Sequence, residues 1–351
     1  MTAVRLHRPM DARTRPGSRT TLCLETEGGR FYFKPRDCTA ERLYARLMER
    51  FFPDVGTTCK TVPAGRASFA GNIEAAPLGS EAEADAYYRR MGVLTAVFYV
   101  LQSGDLHSGN LIAQGAKPTP VDLEILLGTL PAGTDARMPR IGGLSLLRPD
   151  GGSGRRSPLY AGPDDTEGLR RLPQLDGRPV SVLDAEEAYL AGFADGFRRV
   201  TEHAGEWIEI IHEYPDLPLR VLLRSHRTYG MILRGMVRPA QLRSVQARDA
   251  WLERAWASIP EPRRNVVREM ERGCFLDLDV PDFCILAGDT VIRRPDGTPV
   301  PECTLRAPGM RGGAARQPDG SDAANRPGGS ARDHCGTARK GKEISTGSSG
   351  G

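Results

Sequence analysis

Apolar positions recur along this chain with two periods, and the change of period divides it. Thr20–Glu25 and Arg30–Pro35 alternate or are rich in β-branched and aromatic residues, with Gly28-Gly29 between them. A strand on each side of a Gly-Gly pair predicts a hairpin. Period two puts Phe31 and Phe33 on one face and Tyr32 and Lys34 on the other. A lysine that closes an aromatic strand is expected to be a solvated edge residue. From Glu81 to Ser103 the apolar spacing becomes three and four, through Ala84, Tyr87, Tyr88, Met91, Leu94, Phe98 and Leu101. That spacing predicts an amphipathic helix packed against the centre of a lobe. Leu111–Ala113 and Pro120–Glu124 read as short strands joined by a turn holding Gly115, Lys117 and Pro118. Gly142–Pro179, rich in Gly, Pro and Arg, reads as a long surface loop. Ser181 predicts the cap of a helix carrying Tyr189, Phe193 and Phe197, with further helices over 203–212, 221–236 and 241–257.

The predicted layout is α+β: a small β-rich N-terminal part over 1–75, a mostly helical part over 76–300 and a tail over 301–351. From Ala307 onward Gly and Arg recur, no aromatic occurs, and Met310 and Ile344 are nearly the only large apolar residues. Burial cannot offset the ordering entropy of such a segment, so it is expected to be disordered. Translation out of frame would have this composition.

The 351 residues are 39% hydrophobic and 26% charged, with 48 Lys and Arg against 44 Asp and Glu. A net charge of +4, interleaved with acids, carries no basic stripe for nucleic acid. Apolar runs such as Gly92–Leu101 reach about ten residues, short of the roughly 20 of a membrane span. The N-terminus opens without an apolar signal region, which predicts a cytoplasmic protein. Seven scattered cysteines with no C-x-x-C pair exclude both a disulfide framework and a structural zinc site as expectations.

The dense cluster of reactive residue types is Ser103-Gly-Asp105-Leu-His107-Ser-Gly-Asn110, a hairpin, then Val121-Asp122-Leu-Glu124. Phosphoryl transfer needs a carboxylate near the attacking hydroxyl, and oxygen ligands that hold Mg²⁺ against the phosphates of ATP. In the protein-kinase template the base Asp and the metal Asn stand five apart, as Asp105 and Asn110 do, and the metal Asp follows a hairpin, where Asp122 falls. A strand lysine upstream completes the set, which gives Lys34 a role. Read singly, Asp105 is a turn cap, Asn110 a left-handed residue and His107 a core imidazole. There is no G-x-G-x-x-G; Gly17 and Ser18, within Arg15–Arg19, are the nearest phosphate cradle. There is no D-F-G either, since Leu123-Glu124 follows Asp122.

Phe33-Lys34-Pro35-Arg36, Asp105–Gly115 and Pro120–Glu124 resemble the dehydratase domain of class II lanthipeptide (lantibiotic) synthetases. Further blocks follow in order: Gly177–Ser181, Tyr189–Phe197, Arg220-Val-Leu-Leu-Arg224 with Tyr229, and Leu278–Phe283. The resemblance implies a bilobal fold like that of lipid kinases. It also implies two reactions in one site on a leader-bearing precursor peptide: phosphorylation of Ser or Thr by ATP with Mg²⁺, then elimination to dehydroalanine or dehydrobutyrine. By position, Asp105 resembles the catalytic Asp with His107 beside it. Asn110 and Asp122 resemble the metal ligands, Glu124 the acid that follows, and Lys34 the phosphate-contacting lysine. Arg220 and Arg224 fall on the family's arginine block; without the family they read as surface ion pairs on a helix. Asp11-Ala12-Arg13 stands where the family has Asp-x-His, and His226 where it has a Thr tied to elimination. No zinc cyclase is recognisable, so the chain is expected to be a truncated fragment that leaves ring closure to a separate cyclase. The competing readings are a small-molecule kinase of the aminoglycoside-phosphotransferase type and a non-catalytic product.

Overall fold

The computed structural model describes residues 5–6, 21–56, 58–65, 67–103, 106–127, 157–221, 223–224, 226–259, 261, 263–289, 291–294 and 297–304. Asp11, Gly17, Ser18, Asp105, the first part of the expected long loop and the tail from 305 lie outside them.

The Gly28-Gly29 hairpin forms between β2 (Leu22–Thr26) and β3 (Gly29–Lys34), in register from Leu22 against Phe33 to Thr26 against Gly29. Gly29 takes φ +116°, a conformation that favours glycine. β1 (Arg5–Leu6), β4 (Thr61–Ala64) and β5 (Ala67–Gly71) complete an antiparallel sheet of order β1-β2-β3-β5-β4. Phe31 and Phe33 share the Phe69 ring, with centroids at 5.7 and 5.5 Å, as period two requires. Lys34 is not a solvated edge residue: β5 pairs along its strand, placing Lys34 opposite Ser68, and the lysine is buried.

Helix α1 (Thr39–Phe51) follows β3 after four residues and buries Leu43, Tyr44, Leu47, Met48 and Phe51. Its Tyr44 ring stacks on Phe98 of α2 (Glu81–Val100) at 5.3 Å. Met91–Phe98 are all buried, so this stretch of α2 is a core helix on every side rather than an amphipathic one. Helix α4 (Glu186–Glu202) crosses α2 with backbones nearly touching. A Cβ on Gly192 would lie 1.9 Å from the Arg89 carbonyl oxygen, and one on Gly92 2.1 Å from that of Tyr189.

The next hairpin joins β6 (Leu111–Gln114) to β7 (Lys117–Pro120). The second strand thus ends where the sequence pattern has it begin. Gly115, at φ +57°, opens a two-residue turn, and pairing Gln114 with Lys117 exhausts the ladder at Leu111 and Pro120. Residues 121–124 are therefore irregular. Part of the expected long loop is ordered: α3 (Thr166–Arg171), then β8 (Gln174–Leu175) and β9 (Arg178–Pro179) around Asp176-Gly177, both at positive φ. Ser181 caps a short 3₁₀ turn, Val182–Asp184, that leads into α4.

The C-terminal part carries a second antiparallel sheet, so it is not simply helical. After α5 (Ala204–His212) comes β10 (Pro218–Val221), which pairs with β11 (Phe283–Leu286), followed by β12 (Val291–Arg293) and β13 (Pro299–Thr304). The helix expected from 221 begins instead at His226 as α6 (His226–Met236). Helices α7 (Pro239–Leu242), α8 (Val245–Trp256) and α9 (Arg263–Leu276) complete this part. Tyr229, Ile232, Leu252, Trp256 and Phe275 form a core of their own, apart from the main one. No helix among the described residues is long and apolar enough to cross a membrane.

Candidate active site

Four elements converge at the end of β3. Lys34 closes that strand, and its Nζ donates to the Val121 carbonyl at 2.6 Å, the residue before Asp122. The same nitrogen lies 3.9 Å from Asp122 Oδ1 and 3.8 Å from Glu41 Oε1. Glu41 enters from the first turn of α1 and is buried. Residues 121–124 continue from the β6–β7 hairpin. Val121 N–H donates to the Asn110 carbonyl at 3.0 Å, which brings Asn110 and Asp122 to adjacent positions across the hairpin base.

The fourth element is β10. Leu219 and Val221 point into the core, so alternation turns Arg220 to the other face. There it donates from Nη1 to Glu124 and from Nε to Asp282 Oδ1 at 3.1 Å. Between Lys34 and Arg220 lies Arg36, which binds both Glu41 and Asp122. Burial alone would lower the proton affinity of either arginine. The surrounding carboxylates outweigh it: Asp122 and Glu41 hold Arg36 well above the ordinary value, and Glu124 and Asp282 raise Arg220.

His107 is half-buried, and its Nδ1 accepts the Gly109 N–H at 2.9 Å, which assigns the ring proton of the neutral form to Nε2. Asn110 N–H donates to the His107 carbonyl at 2.8 Å, so the two residues share one tight turn. Leu106, Leu123 and Leu126 anchor this turn and the 121–124 segment in the core. Gln102 and Leu127 bracket the segments at φ 52° each, left-handed positions unusual for side chains of their size. Gln102 completes a Schellman-type end to α2, with Ser103 N–H on Phe98 O at 3.0 Å and its own N–H on Tyr99 O at 3.2 Å.

Of the sequence candidates, Lys34, Asp122, Glu124 and Arg220 thus form one connected network, with His107 and Asn110 on the adjoining turn. Arg224 is elsewhere. Its Nε donates to both oxygens of the fully buried Glu271, at 2.9 and 3.0 Å, within the second core. His226 opens α6. The sequence reading assigned no roles to Arg36, Glu41 and Asp282. Arg36 stands two residues after Lys34 and Asp282 beside Phe283, inside motifs already singled out; Glu41 carried no signal except an acid at a helix start.

Among the described residues no group of three or more His, Cys, Asp and Glu gathers to hold a metal. Mg²⁺ commonly takes only one or two carboxylates, completing its shell with phosphate oxygens and water. Asp122 with the side-chain oxygen of Asn110 fits that habit.

A family model described as "Domain of unknown function (DUF4135)" matches residues 12–142 and 163–285. The lacticin 481/lactococcin biosynthesis protein LcnDR2 of Lactococcus lactis subsp. lactis is 29% identical over 115 residues. That alignment takes in 29% of this chain and 12% of the relative, so the chain spans a small part of the relative's length. Lys34, Arg36, Glu41, Asp122 and Glu124 fall in the first matched segment, Arg220 and Asp282 in the second, and over these two stretches the chain belongs to the DUF4135 family.

Proposed function

We propose that the chain is the dehydratase part of a class II lanthipeptide synthetase with a bilobal, lipid-kinase-like fold, acting on a ribosomally made precursor peptide. The observation that carries the reading is the Lys34 ammonium held 2.6 Å from the carbonyl that precedes Asp122. A phosphate-binding cation and a metal-binding carboxylate then share one cleft. The likeness to a lacticin 481/lactococcin biosynthesis protein supports the peptide substrate.

In the first reaction the Ser or Thr oxygen attacks the γ-phosphorus of ATP, its proton passes to Asp105, and ADP leaves. Asn110 and Asp122 would hold Mg²⁺, which neutralises phosphate charge when bound. Lys34 orients the phosphates. In the second reaction a base takes the α-proton, the Cβ–O bond breaks, and phosphate departs as the new C=C bond forms. Arg220, a fork of donors on a rigid strand, stabilises that leaving group.

Isothermal titration of ATP with Mg²⁺ tests the reading. The unchanged protein binds, and Asp122→Asn abolishes the metal-dependent component. Identical curves for the two would refute it. Mass spectrometry of a co-expressed precursor peptide should show phosphorylated and dehydrated Ser or Thr; an untouched peptide beside a phosphorylated aminoglycoside would favour a small-molecule kinase.

A further inference from the structure

Arg36 is the most densely engaged side chain of the cluster. Pro35 follows Lys34 and fixes the backbone as the strand ends, and α1 begins at Thr39, so Arg36 sits on a short, constrained connection. Its side chain is largely buried, 12% exposed. Nη1 donates to the Asp37 carbonyl at 3.0 Å and to Glu41 Oε2 at 3.1 Å. Nη2 donates to Glu41 Oε1 and to Asp122 Oδ1. Nε lies 3.7 Å from Glu124 Oε2. One rigid group thus touches three carboxylates from two elements.

Asp122 needs such a brace. The β6–β7 ladder ends at Pro120, so no strand pairing fixes residues 121–124. Asp122 is held instead by cations from β3 and from the connection after it. Lys34 stays 3.9 Å from Asp122 Oδ1, whereas Arg36 hydrogen-bonds that oxygen directly and carries the connection on to α1.

We infer that Arg36 is a positioning residue, whose planar fork locks the Asp122 carboxylate to Glu41 of α1 and thereby sets the geometry in which Asp122 receives a divalent cation. The inference rests on the function proposed above. A lysine keeps the charge but cannot bridge two carboxylates in one plane, so Arg36→Lys separates geometry from charge.

The test is calorimetric titration of the full chain with ATP, in Mg²⁺ and in EDTA, for the unchanged protein, Arg36→Lys, Asp122→Asn and the double variant. Thermal melting is followed in parallel. Loss of an outer partner of a metal ligand typically costs about 10–100-fold in metal affinity. Arg36→Lys should therefore weaken Mg²⁺-dependent binding by about that factor and leave binding in EDTA unchanged. In the Asp122→Asn background the same change should add nothing. Glu41→Gln, which removes the anchor but leaves Arg36 in place, should reproduce the loss and serves if Arg36→Lys does not fold. Mg²⁺-dependent affinity that survives Arg36→Lys overturns the inference while leaving the proposed function intact. So does an equal loss with and without Mg²⁺, which marks a purely structural role. An unchanged protein that shows no Mg²⁺-dependent binding removes the proposed function, and the inference with it.

Discussion

Replacing Glu271 by Leu should be among the most damaging single changes available to this chain. The carboxylate is fully buried and accepts from Arg224 Nε at 2.9 and 3.0 Å, from Tyr229 Oη at 3.1 Å and from Trp256 Nε1 at 2.8 Å. These donors come from the segment after β10, from α6 and from α8, while Glu271 itself belongs to α9. Without it the Arg224 guanidinium keeps a hydrogen bond to the Ala255 carbonyl at 2.9 Å but loses its counter-charge. Breaking a buried ion pair from one side costs about 3–5 kcal/mol. The Tyr229 hydroxyl and Trp256 N–H add to this, since an unsatisfied buried donor costs about 1–3 kcal/mol, although the contributions do not sum. A loss of about 4 kcal/mol is a large share of the roughly 5–15 kcal/mol of a typical fold. Urea unfolding followed by tryptophan fluorescence measures it. The double change Glu271→Leu with Arg224→Met removes both charges and should recover part of the loss, because the stranded cation is the main cost. A single-variant loss below about 1 kcal/mol, or a double variant worse than the sum of its parts, would refute the reasoning.

Gly192→Ala forces a methyl to within 1.9 Å of the Arg89 carbonyl oxygen and should destabilise by about 3 kcal/mol. Gly273→Ala, on an exposed face of α9 with open space around it, should stabilise by about 0.5–1 kcal/mol, both read by urea midpoint. Tyr87, Tyr88 and Tyr229 are all pushed above the ordinary phenol value, chiefly by burial. The folded chain keeps protons that unfolded tyrosines release near pH 10, so this contribution is complete below about pH 10 and falls above it by about 1.4 kcal/mol per tyrosine per unit. Unfolding midpoints that do not fall between about pH 9 and about pH 11 would contradict it. If Arg220 stabilises the leaving phosphate, Arg220→Lys should slow elimination more than phosphorylation, and mass spectra should show phosphorylated peptide accumulating.

Local signals in the sequence were sufficient where structure is local. Gly28-Gly29 marks its hairpin and the apolar run of α2 its helix, whereas Ser181 caps the 3₁₀ turn before α4 and not α4 itself, whose N-cap is Ala185. The helix expected from Val221 starts at His226 instead because a short apolar run fits a strand and a helix equally, and only the pairing of Pro218–Val221 with Phe283–Leu286 decides between them. Asp176-Gly177 is a turn signal that the Gly- and Pro-rich composition around it obscured. The site was legible as residue types but not as contacts. Arg36 meets Asp122 across 86 positions and Arg220 meets Glu124 across 96, separations at which no periodicity operates. The same distance effect hid the burial of Lys34, since a strand end reads as solvated until a neighbouring strand and helix cover it.

The ion pairing of this network leads to one more expectation. Lys34, Arg36 and Arg220 face Glu41, Asp122, Glu124 and Asp282, and each of the three cations is already engaged by carboxylates or a carbonyl. A triphosphate entering alone would compete with existing ion pairs for each cation and would meet their carboxylates, in a partly buried setting where screening is weak. Entry together with a divalent cation reverses the local sign at the carboxylates. Under the proposed function ATP should bind at least about tenfold more weakly in EDTA than in Mg²⁺, a difference of about 1.4 kcal/mol. Asp122→Asn should narrow that gap from both sides, by removing a metal ligand and one of the repelling charges. Equal affinities with and without Mg²⁺ in the unchanged protein would mean that the network functions as a structural brace rather than as a nucleotide site.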